Sequence, residues 1–121
     1  MKSYTSTLVV GEQHTAAKMG SGDLQVLATP VMAALMENAA MNAAADELSK
    51  EDTTVGGFIE TSHLCPSAVG ATVTATAELV KAEGKKLTYK ITAREGDKVI
   101  GEGNHIRFIV NREKFMKKVM G

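Results

Sequence analysis

The sequence has few aromatic residues, no net charge and almost no cysteine. Aromatic residues make up 4% of the chain and Trp is absent, which disfavours the stacking surfaces that bind single-stranded nucleic acids. Lys and Arg total 14, as do Asp and Glu, so no net field attracts nucleic acid or an anionic membrane. The one cysteine cannot form an internal disulfide. We therefore expect partners to be recognised by a pocket or a local patch.

Secretory and membrane-spanning signals are also missing. The first ten residues, MKSYTSTLVV, lack the charged start and long apolar run of a signal peptide, and no segment approaches the length of a membrane span. A cytoplasmic location is the expectation. A chain of 121 residues has the usual size of one domain, so a single domain over 1–121 is expected.

The stretch VLATPVMAALMENAAMNAAADEL, from Val26 to Leu48, predicts one long helix. It is rich in Ala, Met and Leu, with Thr29 in position to act as the N-cap and Pro30 in the first helical position. The helix is expected to end near Ser49 or Lys50. Because it is apolar over most of its circumference, it should be enclosed by other elements rather than laid on a surface.

The rest of the chain reads mainly as β-strands. Alternating apolar residues and turn signals predict strands over 4–10, 53–63, 71–82, 87–94 and 99–110, with a long loop over 11–27 in which a short helical turn is one alternative. The expected inner face of the last strand carries Ile100, Ile106, Phe108 and Val110. The short turns EGKK and EGDK indicate an antiparallel meander. This order predicts an α+β protein whose antiparallel sheet curls around a single helix.

Glu37 is the carboxylate in the first half of the predicted helix. At about 100° per residue, Asn38, Asn42, Asp46 and Ser49 form a polar stripe that should face water. Glu37 points roughly 140° away from the centre of that stripe, toward the protein. A carboxylate in an apolar setting is costly unless it is paired or hydrogen-bonded. Glu37 is therefore either a general base or nucleophile, or a residue satisfied by polar groups at a dimer seam.

Two further residues are candidates for the same site. Thr29 lies two helical turns before Glu37, and His63 ends a predicted strand. Taken alone, Thr29 is simply a helix cap and His63 a histidine at a strand end. His14 and His105 share no metal-ligand spacing with His63, so neither a metal ion nor another cofactor is predicted.

Three stretches carry a resemblance to a known family: LATPVMAALMENAA, TTVGGFIETSHLCPSAVGATV and GEGNHIRFIVNREKF. They are similar to the hot-dog-fold acyl-CoA thioesterases, in particular the fluoroacetyl-CoA thioesterase group. The likeness covers roughly Tyr4 to Phe115 in the same element order. It implies a hot-dog fold, in which an antiparallel β-sheet wraps around one long central α-helix.

The resemblance also implies roles for five residues. The catalytic threonine, glutamate and histidine of the family fall on Thr29, Glu37 and His63. Gly56 matches the position whose backbone N–H faces the thioester carbonyl, and Arg107 matches an arginine near the binding cleft. The implied assembly is a homodimer, or a higher oligomer, with sites at or near the subunit interface.

The function expected on this basis is hydrolysis of a short or medium acyl-CoA to the free acid and coenzyme A. Glu37 would activate water or attack the carbonyl carbon. The alternatives are a module that binds acyl-CoA without turnover and a purely structural dimer. Neither the His-Gly-Gly signature of another thioesterase group nor the Asn-Pro arrangement of related hydratases is present, which disfavours hydration chemistry. The stretch from Gly11 to Ala28 contains no aromatic residue and suggests no pocket for fluorine, so the sequence does not identify the acyl group of the substrate.

Overall fold

The computed structural model describes residues 2–121, in which an antiparallel sheet curls around one long helix. The strands are β1 (Ser3–Val9), β2 (Asp52–His63), β3 (Thr72–Glu83), β4 (Lys86–Glu95) and β5 (Lys98–Asn111). The helices are α1 (Ala16–Met19), α2 (Thr29–Ala45) and α3 (Arg112–Met120), and a 3-10 turn covers Glu12–His14. The strand order is β1-β3-β4-β5-β2, so β1 and β2 form the two edges of this sheet.

Glycine-containing turns connect the central strands. Gly84 and Gly96 have φ of 61° and 60°, a left-handed conformation that favours glycine. They lie between β3 and β4 and between β4 and β5, where the sequence predicts the EGKK and EGDK turns. The predicted antiparallel meander is confirmed, with strand ends displaced by one residue.

Helix α2 fills the concave side of the sheet. Its buried residues are Met32, Met36, Ala39, Ala40, Ala43 and Ala44. They pack in one cluster with the inward residues of the sheet, which include Val73, Tyr89 and Ile91. Burying each methionine contributes roughly 1.5–3 kcal/mol, and the small alanines allow the sheet to approach the helix closely. None of the helices in residues 2–121 is both long and apolar enough to cross a membrane.

The ends of α2 differ from the prediction. The N-cap is Ala28, which makes no side-chain capping bond, and Thr29 is already helical, so the assignment of Thr29 as the cap is wrong. Its hydroxyl bonds His63 instead. The helix ends at Ala45 rather than near Ser49 or Lys50, because the next amides bond carbonyls three residues back, as in the Leu48 N–H to Ala45 bond.

The predicted inner face of β5 is also wrong beyond Ile100. Ala93 and Arg94 of β4 pair with Gly101 and Val99, which leaves Ile100 as an extra residue in a β-bulge. A one-residue insertion moves every later side chain to the opposite face. His105 and Arg107 are therefore buried, whereas Ile106, Phe108 and Val110 lie on the outer side of the strand and are only partly covered.

Candidate active site

Glu37 lies against the backbone of edge strand β2. The side chain is partly buried and its Oε2 atom is 3.1 Å from the point that a Cβ would occupy at Gly56. The Cε1 atom of His105 is 3.3 Å from the same point. The missing side chain at Gly56 thus allows a carboxylate and an imidazole to approach the main chain. Together with Arg107, these residues form what we call the carboxylate cluster: Glu37, Gly56, His105 and Arg107.

Arg107 provides a buried positive charge in this cluster. Its side chain is 7% exposed and is held by Thr54, whose hydroxyl and carbonyl accept bonds from Nε at 2.8 Å and from Nη2 at 3.0 Å. Its Nη1 donates to Nε2 of His105 at 3.1 Å. Burial lowers the pKa of Arg107, and attraction to Glu37 raises it. Because arginine keeps its proton even in such sites, the cluster contains a fixed cation.

His105 is a residue of this site that the sequence analysis considered only as a metal ligand. It is fully buried, and its Nδ1 donates to the Phe58 carbonyl at 2.7 Å. Since Arg107 can only donate, Nε2 of His105 must accept, which makes the ring neutral with its proton on Nδ1. Burial lowers the pKa of His105, as does the Arg107 charge to a smaller extent. The bond to the Phe58 carbonyl and the Glu37 charge raise this pKa, but burial has the largest effect, so the neutral form is favoured.

A β-bulge lies beside the cluster on β2. Gly56 pairs with Arg107 and Phe58 with Ile106, so Gly57 is the extra residue between them. A side chain at Gly57 would meet the ring of Phe108 on the outer side of the sheet. Bulges next to sites change the direction in which a strand presents its groups. Here Gly56 faces Glu37, and the Phe58 carbonyl on the far side of the bulge is bonded to His105.

Thr29 and His63 form a separate pair at the start of α2. Their Oγ1 and Nδ1 atoms are 2.8 Å apart. Thr29 is exposed and His63 is partly buried. Burial lowers the pKa of His63, while a backbone interaction with Cys65 raises it. Within residues 2–121 the buried Nε2 atom of His63 has no hydrogen-bond partner.

A cavity of about 310 Å³ adjoins the Thr29–His63 pair. Its other lining residues are Ala16, Ser21, Val26, Leu27, Leu64, Cys65 and Pro66. Most of these side chains are small or aliphatic, and several belong to the segment predicted as a long loop. That segment is held in place by isolated bridges from Thr15 to Leu27 and from Val26 to Ala68.

The two groups of predicted residues are not in contact within one chain. Thr29 and Glu37 are eight residues apart on the same helix, a rise of about 12 Å. The structure thus brings Thr29 to His63, and it brings Glu37 to Gly56 near Arg107. The prediction of one site containing all five residues would require a further element between the groups.

The histidines lie in separate settings. Nδ1 of His14 accepts the Gly11 N–H at 2.9 Å, whereas His63 bonds Thr29 and His105 bonds Phe58 and Arg107. In the part of the chain that the structure describes, no group of three or more His, Cys, Asp or Glu side chains could hold a metal ion.

The sequence and the fold are similar to those of known proteins. Residues 10–113 match the model of a family described as fluoroacetyl-CoA-specific thioesterase. Over 95 residues the chain is 39% identical to a fluoroacetyl-CoA thioesterase from Streptantibioticus cattleyicolor, covering 78% of this chain and 68% of that protein.

Solved structures give the same result for the fold. A variant of the fluoroacetyl-CoA-specific thioesterase FlK, crystallised with fluoroacetate and CoA, has a TM-score of 0.87 at 33% identity, covering 93% of this chain and 95% of that one. A hot-dog-like protein from Thermanaerovibrio acidaminovorans has a TM-score of 0.87 at 19% identity, covering 98% and 87%, a likeness of fold alone. The predicted hot-dog fold is confirmed.

Proposed function

Because this chain belongs to the fluoroacetyl-CoA-specific thioesterase family and is a thioester hydrolase, we propose that it hydrolyses a short or medium acyl-CoA to the free acid and coenzyme A. The observation that carries this proposal is the position of Glu37. Its carboxylate lies against the Gly56 main chain and near the buried Arg107 charge, where a thioester carbonyl would meet both a base and a backbone donor.

Glu37 supplies the reactive oxygen by one of two routes. As a general base it removes a proton from water, and the hydroxide oxygen bonds to the thioester carbon while the carbon–sulfur bond breaks. As a nucleophile it bonds to that carbon itself, expels the thiolate and leaves a mixed anhydride that water then cleaves. Label from ¹⁸O-water in the Glu37 carboxyl group after turnover would establish the second route, because water labels that group only by attacking the Glu37 side of the anhydride.

The remaining predicted residues assist the charge changes. The Gly56 N–H stabilises the oxyanion that forms on the carbonyl, a contribution of roughly 3 kcal/mol for a donor of this kind. Arg107 attracts the Glu37 carboxylate and balances its charge. Thr29 orients Glu37 or the thioester, and His63 completes the hydrogen-bond network and, in its protonated form, donates a proton to the departing thiolate.

We further propose that a homodimer builds each site, with Thr29 and His63 from one chain and Glu37 and Gly56 from the other. The support is that β2 is an edge strand whose Gly56–Phe58 segment is exposed. In an antiparallel β2–β2 pair around a two-fold axis, the Gly56 half of one strand lies opposite the His63 half of its partner. That pairing closes the 12 Å gap, estimated from the helix rise, between the groups.

The acyl group is proposed to occupy the cavity beside the Thr29–His63 pair. Its volume of about 310 Å³ accommodates a short or medium aliphatic chain. The lining by Val26, Leu27 and Leu64 favours an apolar acyl group over a charged one. Among residues 2–121, no Phe, Tyr or Trp side chain lines it.

The proposal is tested by thiol release with a panel of acyl-CoAs that includes acetyl-, fluoroacetyl-, butyryl- and octanoyl-CoA. Hydrolysis of at least one member at a rate above the spontaneous rate is expected. Calorimetric binding of acetyl-CoA without thiol release from any panel member would instead favour the acyl-CoA-binding module.

Mixing two variants that each lack one half of the site tests the shared site. In a heterodimer of His63→Ala with Glu37→Gln, one of the two shared sites has both groups intact, so random mixing should restore about a quarter of the parental activity. If both groups act within one chain, mixing restores none. A mass of one chain by sedimentation at micromolar concentration would contradict the dimer itself.

A further inference from the structure

His105 connects two parts of the site that are distant in sequence. Its Nδ1–H is bonded to the Phe58 carbonyl, immediately after the bulge at Gly57, and its Nε2 is bonded to Arg107. We propose that His105 is a positioning residue, which fixes the Gly56 backbone on one side and the Arg107 guanidinium on the other relative to Glu37. This inference rests on the proposed thioesterase function.

The imidazole is held in one orientation. It is fully buried, and both of its nitrogens are used at 2.7 and 3.1 Å. Its Cε1 atom lies 3.3 Å from the missing Cβ position of Gly56, so the ring packs directly behind the residue proposed to donate to the oxyanion. A rotation of the ring would break both bonds and push an edge of the ring into Gly56.

The chemistry at the two nitrogens requires a neutral ring with a defined tautomer. Phe58 offers only a carbonyl and Arg107 only N–H groups, so one nitrogen must donate and the other must accept. The other ionisable groups facing this region are Glu37 on α2 and Tyr89, which pairs with His105 across β4 and β5. An apolar replacement of His105 would leave the Phe58 carbonyl and an Arg107 N–H unpaired in the interior.

Two substitutions separate the bonds of His105. The amide nitrogen of Asn occupies the place of Nδ1, so His105→Asn can keep the bond to Phe58 but loses the acceptor for Arg107. The amide oxygen of Gln reaches the place of Nε2, so His105→Gln can keep the bond to Arg107 but loses the Phe58 carbonyl. Ile91→Val is the control for lost packing, because Ile91 is buried in the same sheet and lies outside the proposed site.

The expected result is a fall in kcat with little change in KM. His105→Gln should lower kcat by about 10- to 100-fold, since a small displacement of a catalytic group can have an effect of that size. His105→Asn should lower kcat less, because the bond to the Phe58 carbonyl beside the bulge is kept. The pH profile of kcat should shift in this variant, because the Arg107 guanidinium moves. Ile91→Val should lower the melting temperature and leave kcat within about twofold of the parent.

The proposal is overturned if both His105 variants keep parental kcat, or if the two lose activity only in proportion to a lower melting temperature. Hydrogen exchange adds a readout that needs no turnover. Amides of Gly56–Phe58 should exchange faster in His105→Gln than in His105→Asn, while amides of β3 stay protected in both. If the parent hydrolyses no panel member, the proposed function fails, and equal exchange in the two variants would then also overturn the role of His105.

Discussion

The carboxylate cluster and the Thr29–His63 pair differ in how they are held. Arg107 and His105 in the cluster are 7% and 0% exposed, and their polar atoms are bonded to Thr54, Phe58 and each other. The Thr29–His63 pair depends on one hydrogen bond, and its threonine is exposed. Several bonds therefore fix Arg107 and His105 before any ligand binds, whereas fewer bonds hold the Thr29–His63 pair.

This difference fits the demands of thioester hydrolysis. Electrostatic stabilisation works best when dipoles and charges are fixed before reaction, as the buried bonds to Arg107 and His105 allow. Recognition of an acyl chain tolerates adaptation, and the Thr29–His63 pair adjoins a cavity whose lining comes largely from loop residues. Substitutions in the cluster should therefore affect the chemical step most strongly.

The largest effect is predicted for Glu37→Gln. The amide keeps the shape of the side chain but removes the charge that activates water or attacks carbon, so kcat should fall by at least about 100-fold. The protein should stay folded with a small fall in melting temperature, because Gln fills the same space but no longer offsets the buried Arg107 charge. Thiol release and thermal unfolding on the same samples check this.

The result that contradicts a catalytic Glu37 is the reverse combination. If Glu37 only makes contacts at the interface between subunits, the Gln variant should melt at a lower temperature or dissociate while any hydrolysis persists. A folded, dimeric and inactive variant excludes that explanation.

The next effect concerns the two faces of the β2 bulge. A methyl group at Gly56 would lie 3.1 Å from Glu37 Oε2 and 3.3 Å from His105 Cε1, so Gly56→Ala must displace the carboxylate or the ring. We expect kcat to fall by about 10-fold or more, with a smaller loss of stability. Gly57→Ala is the matched control, because its methyl group meets Phe108 on the outer face. It should lower stability more than kcat, and equal effects of both substitutions on kcat would contradict the distinction.

Much of the fold was predictable because local signals agreed. The turns EGKK and EGDK, the alternation in β3 and β4, and the Ala-rich helix all indicated a sheet wrapped around α2, and the structure has that arrangement. The direction of Glu37 toward the protein followed from the helical period, and its carboxylate does face Gly56. These features depend on short-range patterns that a sequence displays directly.

The composition of the carboxylate cluster was less predictable for one physical reason. The bulge at Ile100 inserts one residue into β5, and no residue type in the sequence indicates a bulge there. Alternation without a bulge therefore predicted that Ile106 and Phe108 face the core. His105, Arg107 and Ile109 alternate along the true inner face. A histidine and an arginine could be assigned to the core only once their hydrogen-bond partners, Phe58 and Thr54, were known.

The third effect is predicted for Thr29 and should be smaller. Thr29→Ala removes a neutral hydrogen bond to His63, and bonds of this kind contribute about 0.5–1.5 kcal/mol, which corresponds to roughly 3- to 10-fold in kcat/KM. Thr29→Ser keeps the hydroxyl and should retain most of the activity. Steady-state kinetics of the two variants test this order. A loss in Thr29→Ala as large as in Glu37→Gln would mean that the threonine takes part in the chemical step itself.

The smallest predicted effect is a dependence of stability on pH. His63 and His105 both contribute to it, to different extents. The pKa of His105 and that of His63 are both lowered from 6.5, chiefly by burial. As the pH falls below 6.5, the unfolded chain takes up protons at these positions before the folded chain does, so the unfolded state gains stability. Above pH 6.5 both states are neutral at these positions and their contribution stays constant. The melting temperature should therefore fall between pH 7 and pH 5.

Comparing the slopes of two variants assigns this dependence to one region or the other. His105 is fully buried beside the Arg107 cation, whereas His63 is only partly buried, so protonation of His105 should oppose folding more strongly. His105→Asn should flatten the plot of melting temperature against pH more than His63→Asn, whatever its melting temperature at pH 7. Thermal unfolding at half-unit steps of pH measures both slopes. A greater flattening in His63→Asn would mean that the Thr29–His63 pair, rather than the carboxylate cluster, is the region that excludes a proton, and the contrast between a rigid and an adaptable half of the site would then be reversed.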